Sequence, residues 1–145
     1  MRTASQQVSE SASQPDTGAA EHRRRTRHFS DLIAWQKAML LAKAIYGETS
    51  EFPKSEIYGL TSQMRRSAVS VPSNIAEGHG RLTDRGLKVF LAQARGSVFE
   101  LETQVQLAAD IGYMHADNAM KLASGCNEVA RILNGLIKVL GGEDS

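Results

Sequence analysis

The stretch "SVPSNIAEGHGR", residues 70–81, gathers the side chains in this chain with the most obvious chemical potential. Ser73, Glu77 and His79 supply a hydroxyl, a carboxylate and an imidazole, the group types that nucleophilic hydrolysis needs within hydrogen-bond reach. Gly78 and Gly80 flank the histidine as a G-x-G, a fragment of the loops that cradle phosphates. Spacing argues against both chemistries. Glu77 and His79 are two apart, so on a helix they point in different directions. The G-x-G lacks a preceding strand and the further glycines of a dinucleotide or phosphate loop. Carboxylate-bridged metal sites in helical bundles need Glu-x-x-His on facing helices, and neither His79 nor His115 has that spacing. Both histidines read as helix-end residues. Cys126 falls on an apolar stripe, as a small buried hydrophobe would. The expectation is therefore no catalytic residue, no metal, no cofactor and no enzymatic activity.

The same stretch makes sense as architecture. Proline inside a helix loses one backbone hydrogen bond and presses on the carbonyl four residues earlier, which for Pro72 is that of Ala68. Ser70 and Ser73 are close enough to serve that carbonyl. The apolar phase continues across the proline through Ala68, Val71 and Ile75, which favours a kink over a stop. Polar residues form a second line. Arg66, Ser70, Ser73 or Asn74, Glu77 and Arg81 recur at steps of three and four, away from the apolar stripe, with Arg66, Glu77 and Arg81 able to form a charge ladder. This row is either a solvated face or an oligomer interface, where Ser and Asn let a backbone approach while Arg and Glu fix its register.

Helices must position that row, and the pattern is helical from residue 29 onward. A first helix, with Ser30 as its N-cap, carries Leu32, Trp35, Met39, Ala42 and Tyr46. "TSEFPKSE", residues 49–56, breaks it at Pro53. A second helix starts near Ser55 and carries Ile57, Leu60, Met64, Ala68, Val71 and Ile75. "GHGRLTD" interrupts, with Thr83 or Asp84 as a cap. The third helix has the cleanest stripe, Leu87, Leu91, Ala94, Val98, Leu101, Val105 and Ala108. After "GYMHAD" a fourth carries Ala119, Leu122, Cys126, Val129, Leu133, Leu136 and Leu140, and stops at Gly141–Gly142. Four such stripes bury one another as an all-α, antiparallel up-and-down four-helix bundle with a proline kink in the second helix.

Charge divides the chain into two parts. The formal net charge is +1, which excludes a strong global field toward nucleic acid. Residues 1–28 are rich in Ser, Gln, Ala and Arg and read as a disordered basic tail, ending in "HRRRTRH" with Arg23, Arg24, Arg25 and Arg27. From Phe29 the domain 29–145 holds 12 basic and 13 acidic side chains. The single cysteine excludes an internal disulfide framework and fits a reducing compartment. No apolar run reaches the ~18–20 residues that cross a bilayer, and residues 1–21 hold no signal-peptide core, so a cytoplasmic protein without a membrane partner is expected.

Four pieces then stand in order: Trp35–Ala38, Leu60–Arg66, Ser70–Gly78 and Gly96–Leu101. Together they resemble the four-helix-bundle family first noted as proteins encoded by intervening sequences in bacterial 23S ribosomal RNA genes. The match spans residues 29 to about 140 and leaves the tail outside. The resemblance implies a bundle that assembles as a ring, typically a homopentamer, with no established enzymatic activity. It also implies a distant similarity to the accessory proteins of diversity-generating retroelements, which bind nucleic acid and partner a reverse transcriptase.

Two functions follow as expectations. The first is a homo-oligomer that binds structured RNA or DNA, its contacts drawn from Arg23, Arg24, Arg25, Arg27, Lys37, Lys43, Arg65, Arg66, Arg81, Arg85 and Lys88. One near-neutral subunit binds weakly, but a ring repeats each small basic patch. The second is a scaffold that holds a protein partner and no nucleic acid. In either case Glu100 or Glu102 could meet Arg65 or Arg66, within the chain or across a subunit boundary.

Overall fold

The computed structural model describes residues 28–141, and it is helical almost throughout. Helix α1 is Ile33–Thr49, α2 Leu60–His79, α3 Asp84–Asp110 and α4 Ala116–Val139. Each packs against its neighbours in sequence, and α4 closes back onto α1. This is the expected four-helix bundle, with no strand among the described residues.

Local chemistry sets the helix ends. Ser30 is not the cap of α1: it sits in a 3-10 turn, Phe29–Asp31, where its N–H donates to His28 Nδ1 at 3.2 Å. Leu32 occupies the N-cap position without a side-chain bond. The second helix also starts later than its pattern implies. Lys54–Glu56 form another 3-10 turn, and the Glu56 carboxylate accepts from Leu60 N at 2.9 Å, satisfying a donor at the start of α2. Thr83 caps α3 as expected, accepting from Gly86 N at 3.0 Å. Gly112, at φ 85°, ends α3 with Tyr113 N donating to Ala108 O at 2.9 Å.

The third stripe is buried at every expected position, Leu87 through Ala108, and Leu122, Cys126, Val129 and Leu133 of α4 meet it. In α2, Leu60, Met64, Ala68, Val71 and Ile75 are buried while Ile57 lies outside the helix and is exposed. Helix α1 departs from the expected stripe. Its buried face is Ala34, Ala38, Leu41, Ala42, Ile45 and Thr49, whereas Trp35 and Met39 are half-buried and Tyr46 is exposed. Small alanines let α1 come close to the bundle, and its bulky residues take the flank. Phe52, ring-packed on Tyr113 at 5.4 Å, and Met114 close the end of the core where α2 begins.

Pro72 is buried within α2, which runs unbroken through it in the same apolar phase. The helix therefore continues across the proline. Gly78, inside the same helix, faces α3 so closely that an added Cβ would lie 2.9 Å from Phe90 Cβ. Its role is close helix packing, not a phosphate loop.

Candidate interaction surface

The polar row of α2 lies opposite its buried stripe, and the structure divides it in two. Arg66, Ser73, Glu77 and Arg81 are exposed, while Ser70 and Asn74 are half-buried toward α3. Ser70 and Ser97 share a hydrogen bond, their hydroxyl oxygens 2.8 Å apart. Asn74 Nδ2 donates to Ser70 O at 2.9 Å and to Ser70 Oγ at 3.0 Å. Neither Ser70 nor Ser73 serves the Ala68 carbonyl among the described residues, because Ser70 is held by Ser97 and Ser73 turns to the α1 side. The charge ladder forms one rung. Arg81 donates to Glu77 at 3.0 Å and lies 4.5 Å from the Phe90 ring centroid. Arg66 stands eleven residues before Glu77, about 16 Å of helix, which is beyond reach.

The candidate cations fare unequally. Arg65 Nε donates to Thr49 Oγ1 at 2.9 Å and Nη2 to Tyr46 O at 3.4 Å, with the guanidinium 4.6 Å from the Tyr46 ring centroid. Lys37 pairs with Glu128 at 3.2 Å. Lys88, like Arg81, is engaged within the chain. Lys43, Arg66 and Arg85 carry no hydrogen bond or ion pair among the described residues. Arg23, Arg24, Arg25 and Arg27 lie outside those residues. Glu100 and Glu102 meet neither Arg65 nor Arg66 within the chain, since Arg65 turns to α1.

Beside the row, α1 and α2 leave an open groove of about 630 Å³, lined by Trp35, Met39, Tyr46, Val69, Pro72 and Ala76 among others. Phe29 lies at one end and Ser73 and Lys43 touch its edge. The volume falls in the ~300–1,000 Å³ range of ligand sites, but this groove is open and apolar with no converging polar groups. Its form differs from the enclosed, polar-anchored pockets that hold small molecules. Sequence reasoning placed Trp35, Met39 and Tyr46 in the core. Their mixed character, an apolar body with a polar tip on Trp and Tyr, was the signal for the flank.

Titratable groups show little that suits catalysis. Glu77 is exposed and paired with Arg81. Burial pushes the Cys126 thiol up to about 12, helped by the nearby Glu102 charge, so it is no nucleophile at neutral pH. Glu56 is held below the usual carboxylate range by the Leu60 N–H and then by Tyr113, whose hydroxyl donates to it at 2.8 Å. Tyr113 is correspondingly raised. These two join the α1–α2 loop to the α3–α4 loop and escaped the sequence reading, because 57 residues separate them. Among the described residues no group of three His, Cys, Asp or Glu could hold a metal. No described helix is long and apolar enough to cross a membrane.

Comparison with known proteins gives a family and a fold likeness. A family profile described as "23S rRNA-intervening sequence protein" matches residues 30–135. A crystal structure from Bacteroides thetaiotaomicron, a protein of unknown function from the S23 ribosomal protein family, superposes with a TM-score of 0.67 at 19% identity. The alignment covers 73% of this chain and 99% of that one. No curated protein matches.

Proposed function

The chain belongs to the 23S rRNA-intervening sequence protein family, and we propose that it works as a non-enzymatic, self-assembling helical module, a homopentameric ring built through α2. The observation that carries this reading is the apolar groove between α1 and α2, with Ser73 of the exposed polar row on its edge. Half-exposed Trp35 and Met39 with exposed Tyr46 and Val69 leave apolar surface in water, which a neighbouring subunit would cover. The polar residues alongside give such a contact its register. A closed ring needs two unlike patches on each subunit, and this groove with its polar rim is one of them. Light scattering on the intact chain, at several concentrations, tests it. A mass of several chains supports assembly, and a single-chain mass at high concentration removes it.

A second reading, contact with structured RNA or DNA, is favoured by Lys43, Arg66 and Arg85, whose charges no carboxylate among the described residues neutralises. Arg65 and Arg66 are consecutive in α2 and have no acidic partner among the described residues, and a ring would multiply them. The binding expected is backbone-dominated, weakly selective and steeply salt-dependent. Filter binding at low salt that retains neither structured RNA nor duplex DNA would leave the scaffold for a protein partner as the function. The cytoplasm is the compartment this reading assumes.

A further inference from the structure

Helix α3 carries two stripes, only one of which the bundle uses. The inner one, Leu87 to Ala108, is buried. The outer one runs Val89, Ala92, Gly96, Phe99, Thr103 and Leu107, at steps of three and four, on the face turned away from the core. Its large members are half in water: Val89 is 49% exposed, Phe99 50% and Leu107 48%. A heptad-like apolar line on the outer face of a 27-residue helix is the pattern of a helix that meets another helix.

Past Asp84, which opens the helix, the charges beside that line are sorted by half. From Arg85 to Arg95 there are three cations and no acid, and from Glu100 to Asp110 three acids and no cation. This order opposes the helix macrodipole, which favours anions near the N-terminus and cations near the C-terminus. Of the three cations, Lys88 is engaged within the chain. Arg95 bonds only a neutral group, donating to Asn134 Oδ1 at 2.8 Å, and Arg85 has no ion pair among the described residues. Such a helix is complementary to a copy of itself running the opposite way.

Gly96 supplies the third observation. Mid-helix glycine weakens a helix relative to alanine, and at Gly78 the reason is the close pass of α3. At Gly96 an added Cβ would meet nothing within 4 Å, so the fold itself does not require a glycine there. The space it leaves lies on the outer stripe, one turn from Phe99.

We infer that two copies of the chain pair through the outer face of α3, antiparallel about a twofold axis near Ser97–Val98, with Phe99 of each seated over Gly96 of the other. That register sets Arg85 of one copy opposite Asp110 of its partner, and Arg95 opposite the Glu100–Glu102 segment. Every contact occurs twice, as an isologous interface requires. The surface is distinct from the α2 face proposed for ring closure, so the pairing stands whether or not rings form. Where both operate, rings join through their α3 faces.

Sedimentation of the intact chain over a concentration series tests the pairing. Gly96→Leu fills the seat while improving helix propensity, so a loss of pairing cannot come from unfolding; at least a tenfold weaker pairing is expected, with an unchanged or higher melting temperature. Arg95→Glu weakens it by a similar factor, and Arg95→Glu with Glu102→Arg restores it. A short bismaleimide on Gly96→Cys links two chains across the twofold, because like residues near an axis face each other and the buried Cys126 does not react. A mass distribution unmoved by Gly96→Leu, or no linkage through Gly96→Cys at concentrations where larger species exist, overturns the inference. If those larger species persist in both cases, the α2 ring stands without it.

Discussion

Arg65 of α2 lies over the Tyr46 ring of α1, its guanidinium carbon 4.6 Å from the centroid, while its neighbour Arg66 faces outward without an ion pair among the described residues. Two adjacent arginines thus hold different positions, and substitution separates them. Arg65→Ala removes the cation–π contact and the bonds to Thr49 and Tyr46, and is expected to lower stability by about 1–2 kcal/mol in urea unfolding. Arg66→Ala is expected to change stability by less than about 0.5 kcal/mol. If nucleic acid binds, the Arg66 variant instead lowers the salt slope by about 0.9 for each phosphate left without its cation. Equal destabilisation by both would contradict this division of roles.

The Glu56–Tyr113 bond predicts a stability profile with two shoulders. Glu56 is lowered, first by the Leu60 N–H and then by Tyr113, so its contribution is present above the ordinary glutamate range and lost as pH falls through the folded value. Tyr113 is raised, first by its bond to Glu56, so its contribution is full below the ordinary tyrosine range and lost as pH rises through the folded value. Tyr113→Phe should flatten the alkaline loss and leave part of the acid loss, since Leu60 N still binds the carboxylate. Thermal melts from pH 3 to 11 decide the matter. A Tyr113→Phe profile parallel to that of the unaltered chain at the alkaline end would show that the bond does not form.

How far these features could be read from the chain depends on how local their causes are. Helix α3 was legible in full because its stripe alternates without a break and Thr83 marks its start. The core face of α1 was not, because periodicity followed the large residues Trp35, Met39 and Tyr46 while the close contact was made by Ala34 and Ala38. The start of α2 was misplaced by five residues because Ser55 resembles a cap, whereas the operative group is the Glu56 side chain reaching Leu60 N. On the candidate surface, residue types marked the row but not its partners. Ser97, 27 positions from Ser70, claims one of its members, and no local rule reveals that.

Gly78 and Phe90 give a packing prediction. A Cβ at position 78 would lie 2.9 Å from Phe90 Cβ and 3.1 Å from Leu87 Cδ1. The leucine tip can rotate away, but Phe90 Cβ moves only with its backbone, so α2 and α3 must separate. Gly78→Ala is therefore expected to cost about 1–3 kcal/mol despite the better helix propensity of alanine. Chemical denaturation measures it, and a stabilised Gly78→Ala protein would mean the helices pass farther apart than described.

Cys126 reports on opening of the bundle. It is fully buried on α4, and burial pushes its thiol up to about 12, so the reactive thiolate is scarce at pH 8. A disulfide-exchange reagent should leave it unmodified in the native protein and modify it promptly in denaturant. Labelling in native buffer as fast as in denaturant would place Cys126 at the surface and break the α4 stripe.

Pro72 tests whether the α2 surface is built for docking. It is buried in mid-helix, has no N–H to give the Ala68 carbonyl, and lines the α1–α2 groove. An interior helical proline costs about 3 kcal/mol, while Pro72→Ala would remove two ring carbons from an apolar surface, a loss of about 1.6 kcal/mol at most. The first effect is larger, so Pro72→Ala should raise the melting temperature of the single chain. The same change reshapes the groove wall, so it should weaken assembly measured by light scattering. Opposite signs in the two measurements are what a surface shaped for a partner predicts. If assembly strengthens together with stability, the proline serves only the path of the helix, and the groove is not where subunits meet.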